Sequence, residues 1–132
     1  MKKILLLDDE YFLIKLLRII LKQYSLVEAT TAQQALKLFA YDRQIHLLVA
    51  EVTLPISSGI QVALLLRLEI PDLPVILTSG FPLGIWTERN RADLERLGSN
   101  SVMILQKPFY PKVLLNAVCE LIGAPTEMVR TA

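Results

Sequence analysis

Short apolar runs alternate with longer stretches of helical period along the whole chain. Runs of five or six residues at Lys3–Leu7, Leu26–Thr30, His46–Glu51, Pro74–Ser79 and Ser101–Gln106 are nearly continuous in apolar residues. That pattern predicts strands covered on both faces. Between and after them, helices are predicted over Glu10–Gln23, Ala32–Tyr41, Gly59–Ile70, Thr87–Leu97 and Tyr110–Ile122. Thr31 is placed to cap the second helix, Pro71 to end the third and Gly98 to stop the fourth. Five β-α units with short links predict an α/β fold, a parallel sheet with helices on both faces and right-handed crossovers. The domain is expected to span residues 1–123, with 124–132 a C-terminal tail or linker stub.

Composition narrows the picture. At 132 residues, with 53% hydrophobic and 20% charged residues, the chain is one domain able to build a core. A net charge of +1 argues against a nucleic-acid partner held by bulk charge. Neither a signal peptide nor an apolar run near the roughly 18 residues of a membrane span is present, so a cytoplasmic domain is expected. The single cysteine, Cys119, reads as a small core hydrophobe, and the single histidine, His46, as a structural residue at the start of the third strand. Arg89, Arg91, Asp93, Glu95 and Arg96 give the fourth helix a mixed-charge face, read as solvated. Trp86 lies near the start of that helix and is expected at the rim of any strand-end site.

In such sheets chemistry gathers at the carboxyl ends of the strands. Those ends carry Asp8-Asp9-Glu10, Glu51, Thr78-Ser79-Gly80 and Gln106-Lys107-Pro108. Carboxylates suit a hard divalent cation, while a lysine and a hydroxyl suit phosphoryl oxygens. Together they describe a pocket for phosphoryl transfer to a carboxylate.

The motifs DDE, EVTLPISSG, TSG and QKPF, in this order at successive strand ends, resemble the receiver domain of two-component response regulators over about Lys2–Gly123. The resemblance implies a flavodoxin-like doubly wound sheet of strand order 2-1-3-4-5. It implies Mg²⁺ at Asp8 and Asp9, with the Thr53 carbonyl and the Glu51 position completing the site, weakened or lost as that site is. It makes Thr78 the switch hydroxyl and Lys107 the phosphate-contacting lysine, followed by a cis peptide to Pro108. A histidine kinase or phosphotransfer protein is the implied partner, and enzymatic turnover is not expected.

Two positions depart from the family pattern. The phospho-accepting aspartate falls on Glu51. One extra methylene carries its carboxylate about 1.5 Å further from the backbone, a misplacement that costs a transfer reaction on the order of 100-fold in rate per ångström. Glu51 is therefore expected to reach towards Lys107 and hold a partly activated-like state without phosphate, making the domain a pseudo-receiver acting by protein contact. The switch aromatic falls on Ile104, read as a core strand residue, which lacks a ring and hydroxyl to swing. Competing readings are an ordinary phospho-accepting receiver, a pure dimerisation or interaction module, and an aspartate-nucleophile phosphatase. The last needs Asp-x-Asp, and Asp8 is followed by Asp9-Glu10-Tyr11.

The first and third helices carry more apolar surface than one contact layer needs. On the first, Lys15, Arg18 and Lys22 are surrounded by apolar residues; on the third, Ile60, Leu64, Leu65 and Leu68 form a stripe expected to face away from the sheet. Lateral packing between the two helices would cover part of it, and a homodimer or docking face is the expectation for the rest.

Overall fold

The computed structural model describes residues 1–125. Five strands, β1 (Lys3–Leu7), β2 (Ser25–Ala29), β3 (Leu47–Glu51), β4 (Val75–Ser79) and β5 (Val102–Gln106), form one sheet of order β2-β1-β3-β4-β5. Every pairing is parallel. The helices are α1 (Tyr11–Ile20), α2 (Ala32–Tyr41), α3 (Gly59–Leu66), α4 (Glu88–Leu97) and α5 (Pro111–Ile122). This is the flavodoxin-like order expected from the sequence. The tail from Thr126 onward lies outside the described residues.

The sheet separates two cores. One packs Leu5, Leu7, Leu48, Val75 and Leu77 against α2, α3 and Trp86. The other packs Ile4, Leu6, Leu47, Val49 and Ile76 against α1 and α5. Alternating side chains of the same strands serve opposite faces, which is why the strands read as unbroken apolar runs. The edge strands β2 and β5 are only half covered.

Local chemistry sets the element ends. The hydroxyls of Thr31, Ser58 and Thr87 accept from backbone N–H groups in the first turns of α2, α3 and α4. Gly98 ends α4 at a φ of 83°, a conformation that glycine adopts without strain. Helix α3 stops four residues before Ile70, so Pro71 is not its terminator; the chain leaves through overlapping turns from Leu65 to Ile70. At that point Arg67 donates through its guanidinium to the carbonyls of Leu73, Leu97 and Asn100 and so anchors the chain at the helix end. Helix α1 likewise ends at Ile20 rather than Gln23, with Leu21 turned into the core.

Four expectations need correcting. Ile104 is 39% exposed, because β5 is an edge strand and a groove between it and α4 leaves that side chain open. Cys119 is exposed, on the outer side of α5. Ile60 is fully buried at the first turn of α3, so only Leu65 and Leu68 of its stripe stand clear of the core. Asp93 is buried, held between Arg89 and Arg96, and is not part of a solvated face. In addition, α1 and α3 lie on opposite faces of the sheet and cannot cover each other. His46 accepts the backbone N–H of Lys3 through Nδ1 at 2.9 Å, a structural role at the sheet's lower edge. Among the described residues no helix is long and apolar enough to cross a membrane.

Candidate functional site

The carboxyl ends of β1, β3, β4 and β5 bring Asp8, Glu51, Thr78 and Lys107 together. Asp8 directly follows β1 with its side chain almost fully buried, and its Oδ1 accepts the backbone N–H of Glu10 at 2.8 Å, turning the chain into α1. Glu51 and Thr78 are register partners on adjacent strands, and both are buried. Lys107 follows β5, placed by its backbone N–H to Ser79 O (2.7 Å) and joined to Pro108 by a cis peptide.

Lys107 is the hub. Its Nζ lies 2.5 Å from Glu51 Oε1, 2.8 Å from Asp8 Oδ2 and 3.9 Å from Glu10 Oε1. The remaining Glu51 oxygen, Oε2, accepts the backbone N–H of Thr53 at 3.2 Å, and Thr78 Oγ1 donates weakly to Oε1 at 3.5 Å. Burial pushes the Glu51 carboxyl up from its usual value, reinforced by the charge of Asp8 and opposed by Lys107 and the Thr53 N–H. Burial by itself would lower Lys107, but its bonds to Asp8 and Glu51 hold the ammonium above its usual value. The Lys107 ammonium is thus the one cation held between two buried carboxyl groups.

The cluster forms one wall of an open cleft of about 240 Å³ lined by Asp9, Glu10, Glu51, Thr53, Gly80, Phe81 and Lys107. Asp9 stands on the exposed rim, apart from the buried trio. A larger apolar groove of about 360 Å³, between the start of α2 and the loop after β3, carries no ionisable side chain and is remote from this chemistry. Gly59 closes the loop beneath the site. A Cβ there would press on the Glu51 carbonyl and stand 2.8 Å from Ala50 Cβ, so only glycine allows α3 to start this close to β3.

Phe81 escaped the sequence reading, and two other residues take parts it did not assign. Glu10, read in the DDE cluster at the end of the first strand, fixes Asp8 through its N–H and turns its carboxylate towards Lys107. Phe81 lines the cleft, held because Ser79 Oγ bridges its N–H and carbonyl, both at 3.0 Å. Trp86 sits in the core rather than on the rim, and its Nε1 donates to the Phe81 carbonyl at 3.0 Å. The one available signal was the Ser79-Gly80-Phe81 sequence directly after a strand end.

The sequence model of the response regulator receiver domain matches residues 4–119. The chain belongs to that family. Receiver domains are the signal-accepting modules of two-component systems, generally without catalytic turnover, and their partners are histidine kinases or phosphotransfer proteins. Solved structures agree in fold. A CheY-like receiver domain protein of Methanospirillum hungatei is 21% identical with a TM-score of 0.79, over 97% of this chain and 98% of that one. The chemotaxis protein CheY4 of Vibrio cholerae is 19% identical with a TM-score of 0.78, over 92% and 98%. A response regulator receiver protein of Sinorhizobium medicae is 25% identical with a TM-score of 0.78, over 94% and 96%. No curated protein matches the chain.

Receiver domains typically bind Mg²⁺ for phosphorylation. The donor set here does not fit that ion. Mg²⁺ needs oxygen lone pairs in near-octahedral array, whereas here the Lys107 ammonium already lies between the two buried carboxyl groups, 2.8 Å from Asp8 Oδ2 and 2.5 Å from Glu51 Oε1. Among the described residues no three acidic, histidine or cysteine side chains converge on a point that could hold a metal.

Proposed function

We propose that this receiver is a pseudo-receiver, which signals by protein contact and holds one state without phosphorylation. The observation that carries the reading is the 2.5 Å contact between Glu51 Oε1 and Lys107 Nζ. Glu51 stands where the family pattern places the phospho-accepting aspartate, and its longer side chain delivers a negative charge to the lysine that otherwise meets a phosphoryl group. Thr78, the switch hydroxyl of the pattern, is within 3.5 Å of the same oxygen. The intrinsic carboxylate therefore stands in for the acquired one. Ile104 supports the same reading, since an exposed aliphatic residue replaces the aromatic reporter of the conventional switch.

A slowly phosphorylated receiver is the competing reading, favoured by the retention of Asp8, Thr78 and Lys107 around one carboxylate. Incubation with acetyl phosphate and Mg²⁺, read by intact mass, separates the two. The wild type gains no phosphoryl group, whereas Glu51→Asp, which restores the shorter reach, does. A phosphoryl gain in the wild type would establish the competing reading instead.

Contact is assigned to α1. Phe12, Leu16 and Ile19 form an exposed stripe at helical spacing, 83%, 47% and 66% accessible. We read it as the face of a homodimer, with the kinase or phosphotransfer protein as the other class of partner and no nucleic acid. The receiver unit is taken to end at Gly123.

A further inference from the structure

The two buried carboxyl groups offer four oxygens, and each already meets at least one donor of the chain. Glu10 N–H binds Asp8 Oδ1, Lys107 binds Asp8 Oδ2 and Glu51 Oε1, and Thr53 N–H binds Glu51 Oε2. The Lys107 side chain is only 17% exposed, so water does not stand in for it. A divalent cation entering this cluster would have to displace a hydrogen-bonded ammonium, or sit beside it against like charge in a poorly screened site. Asp9 and Glu10 stand on the exposed rim, outside the buried pair.

We propose that Lys107 is the resident cation of the cleft, so that the lysine and a divalent metal exclude each other and this receiver holds its state free of metal. The inference rests on the pseudo-receiver reading and deepens it, by naming what replaces the ion. The length of Glu51 is part of the device, because it lets one ammonium span both carboxylates. The carboxylates themselves remain ligand-competent. Removing the lysine, or shortening Glu51, converts the cluster into a cation site.

Calorimetric titration with MgCl₂ and MnCl₂ tests this on the wild type, Lys107→Met and Glu51→Asp. At about 10 mM cation the wild type shows no saturable heat and no shift in melting midpoint, while Lys107→Met binds at least about 10-fold tighter and melts higher with cation present. Glu51→Asp, which retains the lysine and is the variant to rely on if Lys107→Met does not fold, falls between them. A second reading uses the wild type alone. Amine acylation of Lys107, followed by mass spectrometry, is slow and equally slow with and without Mg²⁺. Saturable binding by the wild type, faster acylation in Mg²⁺, or no gain in either variant overturns the inference. Failure of the two readings is distinguishable: metal binding without a phosphoryl gain removes only the resident-cation inference, whereas a phosphoryl gain in the wild type removes the pseudo-receiver reading.

Discussion

Glu51 sits in an electrostatic conflict that its own length creates. It reaches Lys107, yet it shares that single cation with Asp8 inside a buried cluster. Because burial and Asp8 raise its folded-state value above the usual 4.5, the protonated form is the one the fold favours. Stability linked to Glu51 is then fully present below pH 4.5 and is lost as pH rises through the raised folded value. Glu51→Gln mimics the protonated side chain at every pH. Its stability advantage in urea unfolding is expected to be smallest at acid pH and to grow as pH rises towards neutrality. An advantage that shrinks with pH would show that the Lys107 pair outweighs burial. Lys107 has the opposite balance. Lys107→Ala leaves two buried carboxylates without a counter-ion and is expected to cost about 3 kcal/mol at pH 7 in the same assay.

Legibility at this scale followed chain position. Asp8, Glu51, Thr78 and Lys107 each lie within one residue of a strand's carboxyl end, and a parallel sheet gathers strand ends, so their meeting could be read from the order of apolar runs. Phe81 could not, because its part depends on a turn whose hydrogen bonds run between its own backbone and the Ser79 hydroxyl.

Between elements, two residues do work that no hydrophobic pattern records. Gly59 lets the start of α3 approach β3, and a methyl group added there meets backbone and the Ala50 side chain. Gly59→Ala is expected to lower stability by about 2 kcal/mol or more, read as an earlier urea midpoint at unchanged slope, since overpacking of a tight contact cannot relax without moving Glu51. Arg67 joins the ends of α3 and α4 by donating to three backbone carbonyls, two of its nitrogens sharing Leu73. Arg67→Ala strands those acceptors and is expected to cost about 2–3 kcal/mol, with amide exchange accelerating first around Leu97–Asn100. A Lys at this position recovers little, as one ammonium cannot serve three separated carbonyls. The early end of α3 had no sequence signal for the same reason: a side chain binding distant carbonyls leaves no periodicity. Strand boundaries were legible to within one residue because apolar runs end where the sheet does.

The described residues form a sheet with a core on each face, and α1 keeps an apolar stripe in water. On α1, Ile14 and Leu17 complete the core beneath α5, while Phe12, Leu16 and Ile19 stand outside it and Lys15 lies over the Tyr11 and Phe12 rings. If that face joins two copies, sedimentation velocity of the wild type shows a concentration-dependent dimer that Ile19→Glu dissociates, with the melting midpoint unchanged because the residue is outside the core. A wild type that stays monomeric across the concentration range would assign the face to another partner. The fold was readable from five apolar runs because each strand supplies both cores. The exposure of Ile104 and Cys119 was not, since it depends on where α4 and α5 leave an edge uncovered.

The claim that joins these scales is that the Glu51–Lys107 contact holds the receiver in one state, whatever phosphoryl donor is present. Backbone amide NMR spectra of the wild type, with and without acetyl phosphate and Mg²⁺, address it directly, with Glu51→Asp as the responsive control. Superimposable wild-type spectra are expected at Gly59, Thr78, Gly80 and Lys107, with displaced signals at those positions in Glu51→Asp. Displacement of the same signals in the wild type would contradict it.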